Sequence, residues 1–147
     1  MDLRLIVIHP LSIRRGHLPS ILTHLTKSGL KILAADTYPV CLSTMRALTR
    51  SRSEEKDHEE FIQSFAQTPA TVLLLASSTD GVIDDVLGST DTPQRNSLRE
   101  KFRGSNWLAN PRPYDTVFTS FDPAYNTMVF SMFFSSHRGW GSLSQYI

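Results

Sequence analysis

The residues best able to carry chemistry are five histidines, which share no regular spacing. They are His9, His17, His24, His58 and His137. An imidazole can accept a phosphoryl group, move a proton or bind a metal ion. None of their separations matches a zinc-ligand pattern, so we predict no metal site. His9 follows an apolar run and precedes Pro10. We predict that it is a strand-end histidine held by a hydrogen bond, the alternative being a substitute nucleophile or phosphate ligand. The other four fit surface or packing positions.

Acidic runs and the single thiol are the other candidates for chemistry. Asp84-Asp85 and the stretch 54–60 have carboxylates that suit a metal ion, but such runs are more typical of solvated helix faces. Cys41 is the only cysteine, so no internal disulfide can form and a cysteine-rich zinc module is excluded. We therefore predict neither a metal nor another cofactor.

Length and charge set broad limits on function. The chain has 147 residues, of which 40% are hydrophobic, which suits one domain with its own core. Fifteen Lys and Arg oppose 14 Asp and Glu, a formal charge of +1, so a broadly polybasic binder of nucleic acid or membrane is not expected. The apolar runs are too short to span a bilayer. No signal peptide is apparent, and we expect a reducing compartment.

The apolar pattern predicts four strands that alternate with helices. Short β-branched runs predict strands at residues 3–8, 31–38, 71–76 (central) and 116–121. Helical spacing predicts a first helix that begins at Leu18 and stops at Gly29, and a second that Ser43 caps. A third helix is predicted to start at Ser53, and a fourth to cover residues 82–87 after a cap at Thr79 or Asp80. The last predicted helix runs from Asp122-Pro123 to about Phe134. Residues 88–115 have a loop-like composition.

This order of elements favours an α+β fold on the ferredoxin-like βαββαβ plan, with a four-stranded antiparallel sheet. We expect the helices to cover one face of that sheet. One domain is predicted over residues 1–136, followed by a C-terminal tail at 137–147.

Several segments, in order and spacing, resemble the nucleoside diphosphate kinase family. The first strand and turn, ending in His9-Pro10, resemble the family's strand that ends in Lys-Pro-Asp. The remaining matches are Arg15-Gly16, the turn at 27–32, Gly88-Ser89-Thr90-Asp91 against Gly-Pro-Thr-Asp, Asn96-Ser97-Leu98-Arg99 with Phe102, Ser120 with Pro123, and Met132-Phe133-Phe134. The resemblance covers roughly residues 3–134, and its Asn-Ser-Leu-Arg segment is similar to the divergent, ciliary-type branch.

The resemblance implies a phosphohistidine mechanism, yet the residues that it requires are mostly replaced. The catalytic histidine position falls on Phe118, whose ring has no lone pair to take a phosphate. The other replaced positions are His9 for a Lys, Leu11 for an Asp, Asp84 for an Arg and Asp115 for an Asn, and a family Tyr has no counterpart between Tyr38 and Tyr114. Arg99 alone matches the phosphate-binding set. The sequence thus predicts a pseudoenzyme with no catalytic residue, in which Arg99 is a vestigial nucleotide ligand.

Two local departures from the balanced charge bear on partners. Residues 95–112 have five basic residues against Glu100, a local charge of +4. We interpret the segment as a solvated or protein-contacting loop, with binding of a nucleotide or, less readily, RNA as the alternatives. The predicted helix over 124–134 has no charged residue, so we expect its outer surface to be covered by another protein, another copy or the chain's own tail. The predicted interface residues are Tyr125, Met128, Val129, Phe130, Met132, Phe133 and Phe134.

These features favour a catalytically inactive structural or adaptor subunit of a larger protein assembly. By analogy with the divergent branch, a microtubule-associated complex of the ciliary or flagellar axoneme is the favoured location. The alternatives are a regulatory subunit that binds nucleotide weakly through Arg99 and the basic segment, and a subunit of an organellar, for example mitochondrial, ribonucleoprotein. No membrane partner is expected, nucleic acid is disfavoured, and an oligomer is compatible with the sequence.

Overall fold

The computed structural model describes residues 2–48, 58–65, 69–88, 95–102 and 117–119. The strands are β1 Asp2–Ile8, β2 Lys31–Pro39, β3 Pro69–Ser77 and β4 Val117–Thr119. The helices are α1 Pro10–Arg14, α2 Leu18–Lys27, α3 Leu42–Leu48, α4 His58–Gln63, α5 Val82–Leu87 and α6 Leu98–Lys101. In this part of the chain, no helix is long and apolar enough to cross a membrane.

The four strands form one antiparallel sheet in the order β2-β3-β1-β4. This is the predicted ferredoxin-like arrangement, which the structure confirms. β3 is central, as expected from its apolar sequence, and is buried from Ala70 to Ser77. Leu5 faces Leu74 across the β1–β3 pair, and Val7 faces Phe118 across the β1–β4 pair. The described strand β4 lies within the predicted range 116–121.

Helices cover both faces of the sheet, so the expectation of helices on one face was wrong. Alternate β1 residues point to opposite sides: Leu5 and Val7 join a core with α3 and α4, while Ile6 and Ile8 join a core with α2, α5 and α6. The α3–α4 core includes Met45, Phe61, Ile62 and Phe65, and the opposite core includes Ile21, Leu25, Ile83, Leu87 and Leu98. A strand buried on both sides has a continuous apolar sequence rather than an alternating one.

Helix ends follow local rules that the sequence revealed only in part. Gly29 (φ 86°) follows α2 as predicted, and the N–H groups of Gly29 and Leu30 donate to the carbonyls of Thr26 and Leu25. These two bonds form a Schellman motif, for which glycine at positive φ is favoured.

Two predicted caps were wrong. The residue before α5 is Gly81 (φ 86°) rather than Thr79 or Asp80, because Ser77 and Thr79 are joined in a turn by two hydrogen bonds. α3 begins at Leu42, so Ser43 lies inside it. The segment 88–115 is not wholly loop, since it contains α6. The predicted helix start at Ser53 and the helix over 122–134 lie outside the described residues.

Candidate functional site

His9 occupies the turn between β1 and α1, where the resemblance places a phosphate-binding lysine. Its backbone is extended (φ −60°, ψ 140°), and its Nδ1 accepts a hydrogen bond of 3.0 Å from the Leu11 N–H. His9 is therefore the N-cap of α1, and its side chain satisfies one of the N–H groups that a helix start leaves without an intrahelical partner. Pro10, at the first helical position, needs no such partner.

The second ring nitrogen of His9 contacts a helix on the α3–α4 face of the sheet. His9 Nε2 lies 2.7 Å from Ser64 Oγ, and Ser64 Oγ donates to the Phe61 carbonyl. Because Nδ1 accepts from Leu11 N–H, the proton of the neutral ring is on Nε2. Nε2–H therefore donates to Ser64 Oγ, and both ring nitrogens are occupied. In this arrangement His9 has no lone pair available to take a phosphoryl group or to deprotonate Ser64.

The surroundings of His9 keep its ring neutral. The residue is only 2% exposed, and its ring centroid lies 4.8 Å from that of Phe65 in an edge-on arrangement. Burial, and to a lesser degree the Arg14 guanidinium, lowers the pKa of His9 to about 3, since a charged ring would lose its hydration. The prediction of a strand-end histidine held by hydrogen bonds is confirmed. We name His9, Ser64, Phe61 and Phe65 the His9 cluster.

Asp84, at the position of a family arginine, forms an ion pair with the first strand. Arg4 Nη1 and Nη2 donate to Asp84 Oδ1 and Oδ2 at 2.8 and 3.3 Å. The Arg4 side chain is 17% exposed and that of Asp84 is 62% exposed. This paired geometry links β1 to α5. Within the described residues, no three His, Cys, Asp or Glu side chains are grouped so as to hold a metal ion.

Arg99, the predicted vestigial nucleotide ligand, is 3% exposed in the short helix α6. Its Nη1 donates to the carbonyl of Gly88, which ends α5. A buried guanidinium that binds a helix-terminal carbonyl ties the two helices together. Ser97 caps α6, its Oγ accepting from the Glu100 N–H at 3.3 Å. In this arrangement Arg99 has a structural contact inside the protein.

The structure brings only part of the predicted site together. The β1–β4 register places Phe118 opposite Val7, two residues before His9, so both positions lie near the same end of the sheet. Asp115 and the predicted interface residues, which are Tyr125, Met128, Val129, Phe130, Met132, Phe133 and Phe134, lie outside the described residues.

A groove between α2 and α6 is a polar feature that sequence reasoning missed. It has a volume of about 350 Å³ and includes His24 and Lys27 from α2 and Lys101 from α6. The sequence offered one partial signal, the basic segment that contains Lys101. The two helices are far apart in the chain, so their meeting could not be read from spacing.

Comparisons with solved structures show the fold. The nucleoside diphosphate kinase of Aquifex aeolicus has a TM-score of 0.72 and 17% identity, covering 90% of this chain and 94% of its own. The enzyme of Encephalitozoon cuniculi scores 0.74 at 12% identity (90% and 88% covered), and that of Halobacterium salinarum, solved with CDP, scores 0.74 at 14% identity (97% and 97% covered). Searches of protein-family models and of curated proteins found no match. The chain thus has a nucleoside diphosphate kinase-like fold.

Proposed function

We propose that this protein is a catalytically inactive member of the nucleoside diphosphate kinase-like proteins and acts as a structural or adaptor subunit of a larger assembly. One observation carries the proposal. The side chains at the positions where the resemblance implies phosphate chemistry either lack the needed group or are engaged inside the protein. Phe118 and Asp84, which pairs with Arg4, are the first kind, and His9 and Arg99 are the second.

The nucleophile is the strictest requirement. Transfer through a phosphohistidine needs an imidazole nitrogen with a lone pair facing the γ-phosphate. No histidine occurs between His58 and His137, so small shifts of alignment around Phe118 supply none. His9 lies near the same end of the sheet, but its nitrogens are held by Leu11 and Ser64.

Phosphate binding is weakened for a separate reason. Phosphoryl transfer depends on cations that neutralise the transferred group. Asp84 places a negative charge where the resemblance calls for arginine, and that charge pairs with Arg4. Arg99 keeps its positive charge but donates to the Gly88 carbonyl. Loss of both contributions supports a role other than phosphate transfer.

A transfer assay tests the absence of catalysis. Purified protein is given labelled GTP with ADP, and the acid-labile phosphoprotein is measured beside an active kinase of the same fold. We expect no transfer above the protein-free control and no phosphohistidine. Transfer that disappears in a His9→Ala or His24→Ala variant would overturn the proposal.

Calorimetry separates the scaffold from the alternative, a weak nucleotide-binding regulator. We expect no heat that depends on Arg99 when ATP, ADP or GTP is added at about 1 mM, a concentration that corresponds to a binding free energy of about −4 kcal/mol. Tighter binding that is lost in Arg99→Ala, with the fold retained, would favour the regulator.

The proposed role in an assembly is supported by the uncharged segment 124–134. The proposed location is supported by the resemblance of the segment 96–99 to the ciliary-type branch. We propose that Phe130 and Phe134 contact a protein partner, in the axoneme where the cell has one. Native pull-down of wild type and Phe130→Glu, with the exposed-site variant Thr26→Glu as control, tests this. A specific partner should be lost only from Phe130→Glu. Equal recovery of the partner with both variants would contradict the proposed interface. Absence of the labelled protein from axonemes would contradict the proposed location.

A further inference from the structure

The lining of the groove between α2 and α6 does not include His9, Asp84 or Arg99. Its lining comprises Pro19, Ser20, Thr23, His24, Lys27, Ser28 and Lys101. The α2 contribution extends along most of that helix, and α6 contributes Lys101. Its volume of about 350 Å³ is at the lower end of the range for small-molecule sites.

The charges that line the groove have one sign. Lys27 and Lys101 are cationic, and His24 is titratable. Among the lining residues that the structure describes there is no carboxylate, and the sequence of α2 contains no acidic residue. Burial, and then the nearby charge of Lys101, lowers the pKa of His24. Lys101 and His24 line the same groove, so the positive charge of Lys101 disfavours a second positive charge on the His24 ring.

The α2 dipole does not account for this arrangement by itself. Basic residues in the last turn of a helix are favoured by its partial negative charge, which explains Lys27 and His24 in part. However, Ser28 Oγ already donates to the His24 carbonyl at 2.7 Å. Gly29 and Leu30 satisfy two further α2 carbonyls. Lys101 belongs to another helix, so the end of α2 does not explain its presence in the groove.

The side chain of Lys101 has a contact that helps to place it. Its Nζ lies 5.7 Å from the centre of the Phe102 ring, a cation–π distance. Phe102 is itself buried beside His17, with ring centroids 5.5 Å apart. The hydroxyls of Ser20 and Thr23 add hydrogen-bond donors along the α2 wall. The groove therefore offers cations and neutral donors together.

We propose that the α2–α6 groove binds the phosphate group of a small phosphate compound, with Lys27 and Lys101 as its charged ligands and His24 in the same lining. A phosphate dianion supplies the negative charge that the lining lacks, and its oxygens accept charge-assisted hydrogen bonds. The proposal does not depend on whether the protein is a scaffold. It also differs from nucleotide binding at Arg99, which lies buried in α6.

The test is a titration of the full-length protein with inorganic phosphate at constant ionic strength, followed by NMR of the His24 imidazole and by calorimetry. We expect saturable shifts at His24 with a dissociation constant of about 1 mM. Lys27→Gln/Lys101→Gln should weaken binding at least about tenfold, since two charged contacts are lost. Lys31→Gln, an exposed cation outside the groove, should bind as wild type does.

The phosphate titration has defined outcomes that contradict the proposal, and a second titration with AMP identifies the source of the phosphate group. Absence of saturable His24 shifts at about 10 mM phosphate, or equal binding by the double variant, overturns the proposal. If the double variant does not fold, Lys101→Gln alone is compared with Lys31→Gln. Titration with AMP distinguishes the source of the phosphate. Tighter binding of AMP than of phosphate assigns a nucleoside phosphate, and equal binding assigns the phosphate group alone. In either case, the ligand is assigned to this groove only if replacing Lys27 and Lys101, or Lys101 alone, by glutamine weakens its binding.

Discussion

Two polar regions on opposite sides of the sheet use their charged and hydrogen-bonding groups differently. In the His9 cluster, on the α3–α4 side, both imidazole nitrogens bind groups of the protein and the ring is buried. In the α2–α6 groove, cations line a concave surface, and none of its described lining residues is a carboxylate. A buried polar group with partners serves stability and uniqueness of the fold. Exposed cations without counter-ions create a potential that a ligand can use.

The largest effect should come from removing the His9 ring. His9→Ala loses the cap of α1, the hydrogen bond to Ser64 and the ring contact with Phe65. Together with the cavity this should cost about 3 kcal/mol of unfolding free energy. Urea denaturation measures it. His24→Ala, in the groove, should change stability by less than about 0.5 kcal/mol. Similar losses in both variants would show that the two regions do not differ as described.

Arg99 lies in α6, on the groove side of the sheet, but like His9 it is buried and bonded to a group of the protein. Arg99→Ala removes a buried donor from the Gly88 carbonyl, which should cost about 2–3 kcal/mol. Lys101→Ala, in the same helix but exposed, should cost less than about 0.5 kcal/mol. Thermal and urea unfolding compare the two. A stable Arg99→Ala protein would mean that its guanidinium is dispensable to the fold and would reopen a ligand role.

The pH dependence of stability sharpens the contrast at a single residue. The folded-state pKa of His9 is lowered to about 3, below its ordinary value of about 6.5. The unfolded chain therefore binds the proton first, and stability is lost as pH falls below about 6.5 at about 1.4 kcal/mol per pH unit. Between pH 6.5 and 5, where carboxylates still contribute little, the loss should be about 2 kcal/mol.

His9→Asn isolates this contribution, because asparagine can still cap α1 but does not titrate. The pKa of His24 is also lowered, so a smaller loss of the same sign remains in both proteins. Above about pH 7, the unfolding free energies of wild type and His9→Asn should therefore change with pH at the same rate. Below about pH 6.5, the unfolding free energy of wild type should fall more steeply with decreasing pH. Parallel curves throughout would show that His9 is not held neutral by the fold.

The sequence predicted the sheet well because its strands are short apolar runs, and residues 3–8 and 71–76 lie within observed strands. It also predicted that His9 is a strand-end histidine held by a hydrogen bond, but it did not predict that this bond caps α1. It could not show helices on both faces, since continuous apolar runs do not say which elements cover them. Nor could it pair Arg4 with Asp84, which are 80 residues apart, or bring Lys101 to α2.

The smallest expected effect concerns Asp84, whose ion pair with Arg4 is one of the supports for the proposed absence of phosphate transfer. A double-mutant cycle with Arg4→Met and Asp84→Asn should give a coupling energy of about 0.5–1 kcal/mol. The matched control is the pair of Arg46 and Glu59, which are 48% and 63% exposed. Its coupling should be smaller, because Arg4 is largely buried and donates to both oxygens of its partner. Raised salt should weaken both. If the two couplings are equal, burial of Arg4 adds nothing, and the acid at position 84 must be explained by something other than its link to β1.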